Sequence, residues 1–277
     1  MRVLFLGTSS GAGKTTVSAM YCRYLARKGV RVAPFKASNL SLNSYATSDG
    51  GEIGIGQAFQ AMASGAVPAT DMNPILLKPS GNGRIQVVLN GMPYADITDD
   101  TPLDIGIATA EACKAYDRLR ERFDAVVCEG SGSPAEINLR GRDIANVGMM
   151  RERNIPSVLV GDIERGGVFA ALYGTWKLIP EGQRGLLKGF IINRFRGDPT
   201  MLESGMASIE EITGMKCLGI LPYADLRFPE EDSLSNSGGR MSGKDASSAY
   251  LENLDSLIAE AERCGFDFEA LKRIAEG

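Results

Sequence analysis

The stretch FLGTSSGAGKTT, residues 5–16, decides the fold. It ends in Gly-Lys-Thr after a glycine-rich run, but the phosphate-loop pattern G-x-x-x-x-G-K-[ST] expects a glycine at position 8. Thr8 stands there, and the glycine comes one residue earlier, at Gly7. A short apolar strand runs into the loop and the loop opens a helix, which is the context of a true phosphate loop. The alternative is a glycine-rich turn that carries Gly-Lys-Thr by chance.

The loop residues have separate tasks in a site of this kind. Backbone N–H groups of Gly11, Ala12 and Gly13 face a phosphate oxygen, aided by the N-terminus of the following helix. The Lys14 ammonium reaches the β- and γ-phosphates, and the Thr15 hydroxyl binds Mg2+. The stretch therefore predicts a site for ATP and Mg2+.

A carboxylate must complete the magnesium site, because Mg2+ takes hard oxygen ligands. Glu129 ends an apolar run, and the carboxyl end of a parallel strand points into the crevice where such sheets bind ligands. Glu129 is therefore the first candidate ligand. Asp49 and Glu52, in the segment SDGGEIG (48–54), are either a second carboxylate ligand or solvated loop charges.

Composition narrows the chemistry further. The 277 residues include no histidine, which excludes Ser-His-Asp and Cys-His catalysis and histidine-ligated metals within this chain. A net charge of −4 gives no basic footprint for nucleic acid. No apolar run approaches the roughly 18 residues of a membrane helix, and we expect a cytoplasmic protein without a membrane partner. The five cysteines form no C-x-x-C pair, which favours reduced thiols over disulfides or zinc.

Short apolar runs alternate with helical stretches along the chain. The runs are apolar throughout, as in strands buried on both faces of a parallel sheet. They lie at residues 3–7, 30–36, 125–130, 157–163, 189–195 and 217–223. Helices are predicted over 14–28, 52–64 and 103–122. The fold class is α/β of the P-loop NTPase type, with a mostly parallel central sheet flanked by helices on both faces.

Two segments interrupt this alternation. Residues 37–100 are rich in Ser, Asn, Gly and Pro and are too long for an ordinary connection, and such insertions usually carry function. Residues 233–247 have the composition of a flexible linker. We therefore predict a main domain over 1–232, a linker over 233–247 and a helical tail over 248–277. The tail has an apolar stripe that packs on its own domain or docks a partner, made of Tyr250, Leu251, Leu254, Leu257, Ile258 and Ala261.

These motifs resemble the cobyric acid synthase family, in its N-terminal ATP-dependent amidase domain, within the dethiobiotin-synthetase-like branch of P-loop proteins. That branch spaces its loop G-T-x-x-G-x-G-K-T, which is the register of Gly7 here; partitioning ATPases instead carry a lysine at the position of Ser9. The resemblance runs from residue 1 to about 234. It rests on nine motifs in one order: GTSSGAGKTT, APFKASNLSLNS, GGEIGIGQAFQAMA, DMNPILLKPSG, CEGSGSPAEINL, DIANVGM, VGDIERGGVFAALYGT, GFIINRFRGD and LPYADLRFPEEDS.

The resemblance implies a carbon–nitrogen ligase that amidates peripheral carboxylates of a corrinoid acid with ATP, Mg2+ and ammonia. The family continues into a glutaminase domain with a Cys-His-Glu triad, which this chain does not contain. A separate glutaminase subunit, free ammonia, a shortened form or a paralogue with a changed task would each account for that. The resemblance allows a homodimer. The family's FKAQNMSLNS reads differently here at Ser38 and Leu40, near the substrate.

Further site residues follow from the resemblance. Thr16 joins the loop residues that hold the triphosphate. Lys36 lies near the γ-phosphate and the acceptor carboxylate, or is a surface lysine at a strand end. Asn193 reads the adenine edge beside Pro222, or only forms a local turn.

The corrinoid is expected to contact polar residues from several motifs. Asp143 and Asp162 help to position ammonia or to take up its proton, although Asp162 alternatively caps or orients the loop after its strand. The remaining substrate-binding residues implied by the resemblance are Asn39, Asn43, Gln57, Asn138 and Arg165.

Two other functions stay open. One is a related ligase, such as a tetrapyrrole a,c-diamide synthase or a dethiobiotin-type carboxylate ligase. The other is a nucleotide-dependent regulatory or binding protein without ligase activity.

Overall fold

The structure, a computed structural model, describes residues 1–224 and 246–277. These residues fall into two compact units. The first unit takes residues 1–17, 128–224 and 255–277, and the second takes 18–127 and 246–254. The predicted linker over 233–247 therefore lies outside the described residues up to residue 245.

Strands and helices alternate over most of the described chain. The strands are β1 (Arg2–Gly7), β2 (Val32–Phe35), β3 (Ser38–Leu40), β4 (Ser44–Ala46), β5 (Glu52–Gly54), β6 (Ile75–Gly81), β7 (Arg84–Leu89), β8 (Met92–Ile97), β9 (Ala125–Glu129), β10 (Ser157–Asp162), β11 (Leu187–Phe195) and β12 (Lys216–Pro222). The helices are α1 (Lys14–Arg27), α2 (Ile55–Ala63), α3 (Ile105–Arg122), α4 (Met149–Glu152), α5 (Val168–Leu178), α6 (Glu181–Arg184), α7 (Glu203–Thr213), α8 (Ala246–Arg263) and α9 (Phe268–Glu276). Short 3-10 turns lie at Thr70–Met72, Ile137–Arg142 and Pro199–Leu202, and a π-helical turn lies at Ile144–Gly148.

In the first unit, four parallel strands run in the order β12-β11-β10-β1. All but one residue of β1 and of β10 are buried, as expected for runs that are apolar throughout, and β11 is buried over Gly189–Asn193. Helix α5 crosses from β10 to β11 and packs on both strands, and α9 packs against β1 and β12. The predicted parallel sheet flanked by helices is confirmed.

The register of this sheet brings strand ends together. Gly7 pairs with Val160, and Asp162 pairs with Asn193. The carboxyl ends of β1, β10 and β11 therefore meet at one edge of the sheet, where ligands bind in such folds.

The second unit holds β2 beside β9 and the long insertion. The insertion is ordered: β3-β6-β7-β8 form a four-stranded sheet, and β4 and β5 form an antiparallel pair. Only the pair β3-β6 is parallel, whereas β6-β7 and β7-β8 are antiparallel. Sequence composition had shown the insertion but not this sheet.

Local signals explain several helix boundaries. Asp104 caps α3, because its carboxylate accepts from the Ile107 N–H at 3.0 Å. Gly29, with φ of 82°, follows the end of α1 in the left-handed conformation that usually terminates a helix.

The apolar stripe of α8 is buried apart from the half-buried Leu251, and the Tyr250 ring meets Phe59 edge-on at 5.2 Å between centroids. The stripe packs on its own chain.

The structure also describes the state of the cysteines and the apolar character of the helices. All five cysteines are free thiols in the structure. Among the residues that the structure describes, no helix combines the length and the apolar character needed to cross a membrane.

Candidate functional site

The phosphate loop occupies residues 8–13, between β1 and α1. Gly11 and Gly13 adopt left-handed φ values of 72° and 99°, which side chains rarely adopt. The Thr8 N–H donates to the Val160 carbonyl at 2.9 Å, so the loop leaves the sheet beside β10. The backbone then enters α1 at Lys14, with the helix N-terminus at the loop.

The early glycine has a steric explanation. A Cβ at Gly7 would lie 2.8 Å from Lys14 Nζ and 2.9 Å from the Ser9 carbonyl oxygen, closer than real Cβ contacts. Any side chain there would therefore push against both the loop backbone and its ammonium. The glycine requirement falls on position 7 because the Lys14 side chain folds back over that residue.

Lys14 and Thr15 point to different partners. The buried Lys14 ammonium donates to the Ser9 carbonyl at 3.1 Å and to the Gly132 carbonyl at 2.7 Å. The Thr15 hydroxyl donates to Glu129 Oε1 at 2.8 Å, and Glu129 is 1% exposed. The loop lysine, the hydroxyl and the strand-end carboxylate thus lie together, as the sequence predicts for a nucleotide site.

This pair fits the magnesium chemistry of phosphate loops. Such sites combine a hydroxyl and a carboxylate with phosphate and water oxygens, rather than an all-protein cage. Within residues 1–224 and 246–277 there is no group of three or more acidic or cysteine residues that could hold a metal on its own. Thr15 and Glu129 are oxygen donors of this unit that could hold Mg2+ in this way.

Asn193 braces the loop from the end of β11. Its Nδ2 donates to the Ala12 carbonyl at 2.9 Å, and a Cβ at Gly13 would overlap that amide nitrogen. Asn193 is buried, and Pro222 ends β12 half-buried. The contact to the loop is one that sequence reasoning did not predict for this residue.

Asp162 is held by two neighbours. Its Oδ1 accepts from the Glu164 N–H at 2.9 Å, and its Oδ2 accepts from Arg194 Nη1 at 2.8 Å. The first contact is the loop-orienting role that the sequence analysis kept as an alternative. Arg165 lies exposed in the turn that follows. The partner Arg194 was not singled out from the sequence, although it directly follows Asn193.

Asp143 caps the π-helical turn Ile144–Gly148. Its two oxygens accept from the N–H groups of Asn146 at 2.9 Å and Val147 at 3.0 Å. Burial raises the pKa of Asp143, although these hydrogen bonds act in the opposite direction. Asn146 in turn donates from Nδ2 to the Ser131 carbonyl at 2.7 Å, next to the segment that bonds Lys14. Asn138 is exposed on the 3-10 turn before it.

Other predicted residues lie in the second unit, where several are buried amides. Asn39 Nδ2 donates to Gln57 Oε1 at 3.0 Å, and Asn73 bonds the Gly54 N–H at 2.9 Å and the Lys36 carbonyl at 2.9 Å. Asn39, Gln57 and Lys36 are all at most 5% exposed. The structure thus places Asn39 and Gln57 in one interior network.

Asn43, Asp49 and Glu52 lie near the β4–β5 pair. Asn43 is exposed, and its carbonyl accepts from the Ile55 N–H at 3.1 Å. Asp49 Oδ2 accepts from the Thr70 N–H at 3.1 Å and hydroxyl at 3.0 Å. Burial would raise the pKa of Asp49, but hydrogen bonds from threonine and backbone outweigh it and lower that pKa.

Glu52 forms an ion pair with Lys78 at 2.7 Å. Burial again acts to raise its pKa, and the Lys78 ammonium together with the Ser44 hydroxyl lowers it on balance. Both predicted rivals for the metal thus have other partners within this unit. Lys78 also faces a cavity of about 690 Å³, lined by Leu42, Lys78, Pro79, Ser80, Gly81, Asn82, Arg84, Gln86 and Asp96.

The parallel sheet, the loop between β1 and α1 and the Thr15–Glu129 pair define a class: a P-loop nucleotide-binding protein. Residues 3–234 match the family described as CbiA, the CobQ/CobB/MinD/ParA nucleotide binding domain. The chain belongs to this family. Its register of the phosphate loop is therefore that of a nucleotide-binding domain and not a chance turn.

Curated relatives carry a shared name. A probable cobyric acid synthase of Methanoculleus marisnigri is 54% identical over 236 residues, 85% of this chain and 48% of that protein. A probable cobyric acid synthase of Methanocella arvoryzae is 49% identical over 273 residues, 98% of this chain and 55% of that protein. The cobyric acid synthase of Frankia casuarinae is 52% identical over 235 residues, 84% of this chain and 45% of that protein. The chain spans about half the length of the curated relatives it matches.

Proposed function

We propose that this chain is an ATP-dependent amide ligase that acts on peripheral carboxylates of a corrinoid acid, converting cobyrinic acid a,c-diamide to cobyric acid. The observation that carries the proposal is the 2.8 Å hydrogen bond between Thr15, at the start of the helix that follows the phosphate loop, and Glu129, at the end of β9. It joins the two side chains that we propose as protein ligands of the magnesium of a bound nucleotide. The relatives named cobyric acid synthase, 49–54% identical, supply the reaction class.

The chemistry follows from a simple obstacle, because a carboxylate is a poor acyl donor to ammonia. ATP supplies the γ-phosphoryl group, which passes to a carboxylate oxygen while the bond to the β-phosphate breaks. Ammonia then attacks the carbonyl carbon of the acyl phosphate, loses a proton and displaces inorganic phosphate. Phosphoryl transfer of this kind needs positioning and charge neutralisation, and no histidine.

The loop residues take the first roles. Gly11, Ala12, Gly13 and Thr16 bind phosphate oxygens, and Lys14 exchanges its carbonyl partners for phosphate. The position of the Lys14 ammonium supports this role, because it already donates to the carbonyl oxygens of Ser9, in the loop, and of Gly132. The adenine lies at the ends of β11 and β12, beside Asn193 and Pro222.

In the second unit, Lys36 is proposed to stabilise the transferring phosphoryl group. Asp49 and Glu52 remain proposed second carboxylates for the metal. Each would first have to give up Thr70 or Lys78, so their part is secondary to that of Glu129.

The acceptor is a large polyacid, and three of its proposed ligands, Asn43, Asn138 and Arg165, have exposed side chains. Asn39 and Gln57 are also proposed substrate-binding residues, and they bond each other in the interior of the second unit. The cavity of about 690 Å³ beside Lys78 and Arg84 offers cations and apolar surface to such a molecule. Asp143 and Asp162 are proposed to orient ammonia or receive its proton.

Ammonia arrives free or from a separate glutaminase subunit, and a homodimer is compatible with the proposal. The domain arrangement is proposed as before: a ligase domain over 1–232, a linker over 233–247 and a tail over 248–277.

The test is incubation with ATP, Mg2+, ammonium chloride and cobyrinic acid a,c-diamide. Mass spectrometry follows the replacement of each carboxylic acid by an amide, and phosphate release is measured with and without the corrinoid. Lys14→Ala should abolish both readouts, whereas Lys114→Ala, an exposed lysine paired with Glu111, should leave them unchanged. ATP hydrolysis that ignores the corrinoid, with no amide formed, would favour the regulatory protein and refute the ligase.

A further inference from the structure

Arg194 has a strained backbone at the edge of the phosphate loop. It follows Asn193 in β11 with φ of 63°, and non-glycine residues seldom occupy this left-handed region. Such outliers persist where the surrounding structure holds them, and they cluster at ligand sites.

The sheet register places the Arg194 side chain beside the loop. Strand β10 lies between β1 and β11, and the loop leaves β1 opposite Val160. Asp162 lies two residues further along β10. Because the Arg194 guanidinium lies 2.8 Å from the Asp162 carboxylate, the cation is at the strand ends that flank the loop.

The Arg194 side chain is partly exposed and donates only one of its N–H groups to a neighbour within the described residues. Its hydrogen bond to Asp162 uses Nη1, and no other side-chain bond of Arg194 is found within the part of the chain that the structure describes. The Arg194 side chain is 39% exposed, whereas that of Asp162 is 9% exposed. The Asp162 carboxylate is thus the less exposed partner of the pair, and the guanidinium keeps N–H donors beyond the one that Asp162 accepts from.

We propose that Arg194 binds an oxyanion of the reactants at the edge of the phosphate loop, and that Asp162 is the positioning residue that holds it there. A guanidinium fork matches both carboxylate and phosphate oxygens. The ligand class is therefore an oxyanion, supplied by the nucleotide phosphates or by the acceptor carboxylate. This inference rests on the proposed function for the identity of those two reactants.

Equilibrium binding distinguishes the sources. Calorimetric titrations with Mg-ATP and, separately, with cobyrinic acid a,c-diamide are compared for the wild type, Arg194→Ala and Arg194→Lys. We expect Arg194→Ala to weaken one of the two ligands by about tenfold or more, since hydrogen bonds to charged groups are the strong ones. Arg194→Lys should recover part of the loss, because the ammonium keeps the charge without the fork. Lys216→Ala, which removes an ion-paired cation at the amino end of β12, should change neither affinity.

A structural role is separated by a second variant. Arg194→Ala leaves the Asp162 carboxylate without its cation, which by itself can disturb the strand end or the fold. The double variant Asp162→Asn/Arg194→Ala removes that unpaired charge. Affinity that returns to the wild-type value in the double variant would overturn the proposal, because Arg194 would then only neutralise Asp162. A persistent loss supports it.

The outcomes also separate this inference from the proposed function. Loss for Mg-ATP assigns Arg194 to phosphate, and loss for the corrinoid acid assigns it to carboxylate. If the wild type binds both ligands and neither affinity changes in the variants, the inference fails while the proposed function stands. If the wild type binds neither ligand, both fail.

Discussion

Replacing Gly7 by alanine should disable the phosphate loop without unfolding the protein. The new Cβ would stand 2.8 Å from Lys14 Nζ and 2.9 Å from the Ser9 carbonyl oxygen, so these atoms must retreat by roughly 0.6 Å or more to regain ordinary contact. Ser9 contributes backbone, and the ammonium is fixed by bonds of 3.1 and 2.7 Å. Neither moves without disturbing the loop.

The magnitude has two parts. Overpacking of this kind costs about 1–3 kcal/mol of folding free energy. Displacing the Lys14 ammonium from its place costs a charged hydrogen bond, worth about 1.5–3 kcal/mol. Since about 1.4 kcal/mol corresponds to a factor of ten, we expect Mg-ATP to bind about tenfold to a hundredfold more weakly.

The assay is titration calorimetry with Mg-ATP, with urea unfolding as the check on folding. Thr8→Gly and the swap Gly7→Ala/Thr8→Gly are the informative controls, because the swap restores the letters of the pattern G-x-x-x-x-G-K-[ST]. Because the swap keeps the Cβ at position 7, it should bind Mg-ATP as weakly as Gly7→Ala does. Affinity within twofold of the wild type in either alanine variant would refute the explanation of the early glycine.

Three further predictions concern other parts of the molecule. Because burial raises the pKa of Asp143 above its unfolded value, its contribution to stability is full at low pH and is lost as pH rises through the folded pKa. Asp143→Asn, which keeps a capping oxygen, should therefore gain on the wild type in urea unfolding as pH increases; parallel curves would contradict this. Burial raises the pKa of Cys217 to about 11, so roughly 0.1% is thiolate at pH 8 and iodoacetamide should modify the exposed Cys264 first, as read by peptide mass mapping. Gly54→Ala should lower the free energy of unfolding by about 2 kcal/mol or more, because its Cβ would lie 2.9 Å from Gln57 Oε1 inside the buried amide network; a fall below 0.5 kcal/mol would count against that packing.

The central sheet could be predicted because each of its strands has a recognisable local sequence pattern. Each predicted apolar run matches an observed strand with bounds that differ by at most two residues, as in 189–195 against Leu187–Phe195. A strand that is buried on both faces is apolar at nearly every position, so its burial is visible in the sequence as a continuous apolar run. The phosphate loop could be predicted as well, because the residues expected to bind phosphate follow one another directly in the sequence.

The sheet within the insertion and the side-chain contacts between distant residues could not be predicted from local sequence. Pairing in β3-β6-β7-β8 depends on partners elsewhere in the chain, and a composition rich in Ser, Asn, Gly and Pro over 37–100 does not specify those partners. Asn39 and Gln57 are expected at the substrate from the resemblance, and their hydrogen bond to each other in the interior is a contact that no local spacing reveals. Arg194 meets Asp162 across 32 residues, and no local spacing reveals such a pair.

The brace from Asn193 to Ala12 has a consequence for how the protein is made. The two residues are 181 positions apart, so the loop near the start of the chain is secured by a strand near the end of the domain. During synthesis, the ribosome releases the loop long before the amide that fastens it. Contacts of such long range close slowly and late. Nucleotide capture should therefore mature only after β11 has docked, which makes ATP affinity a reporter of completed folding in this unit.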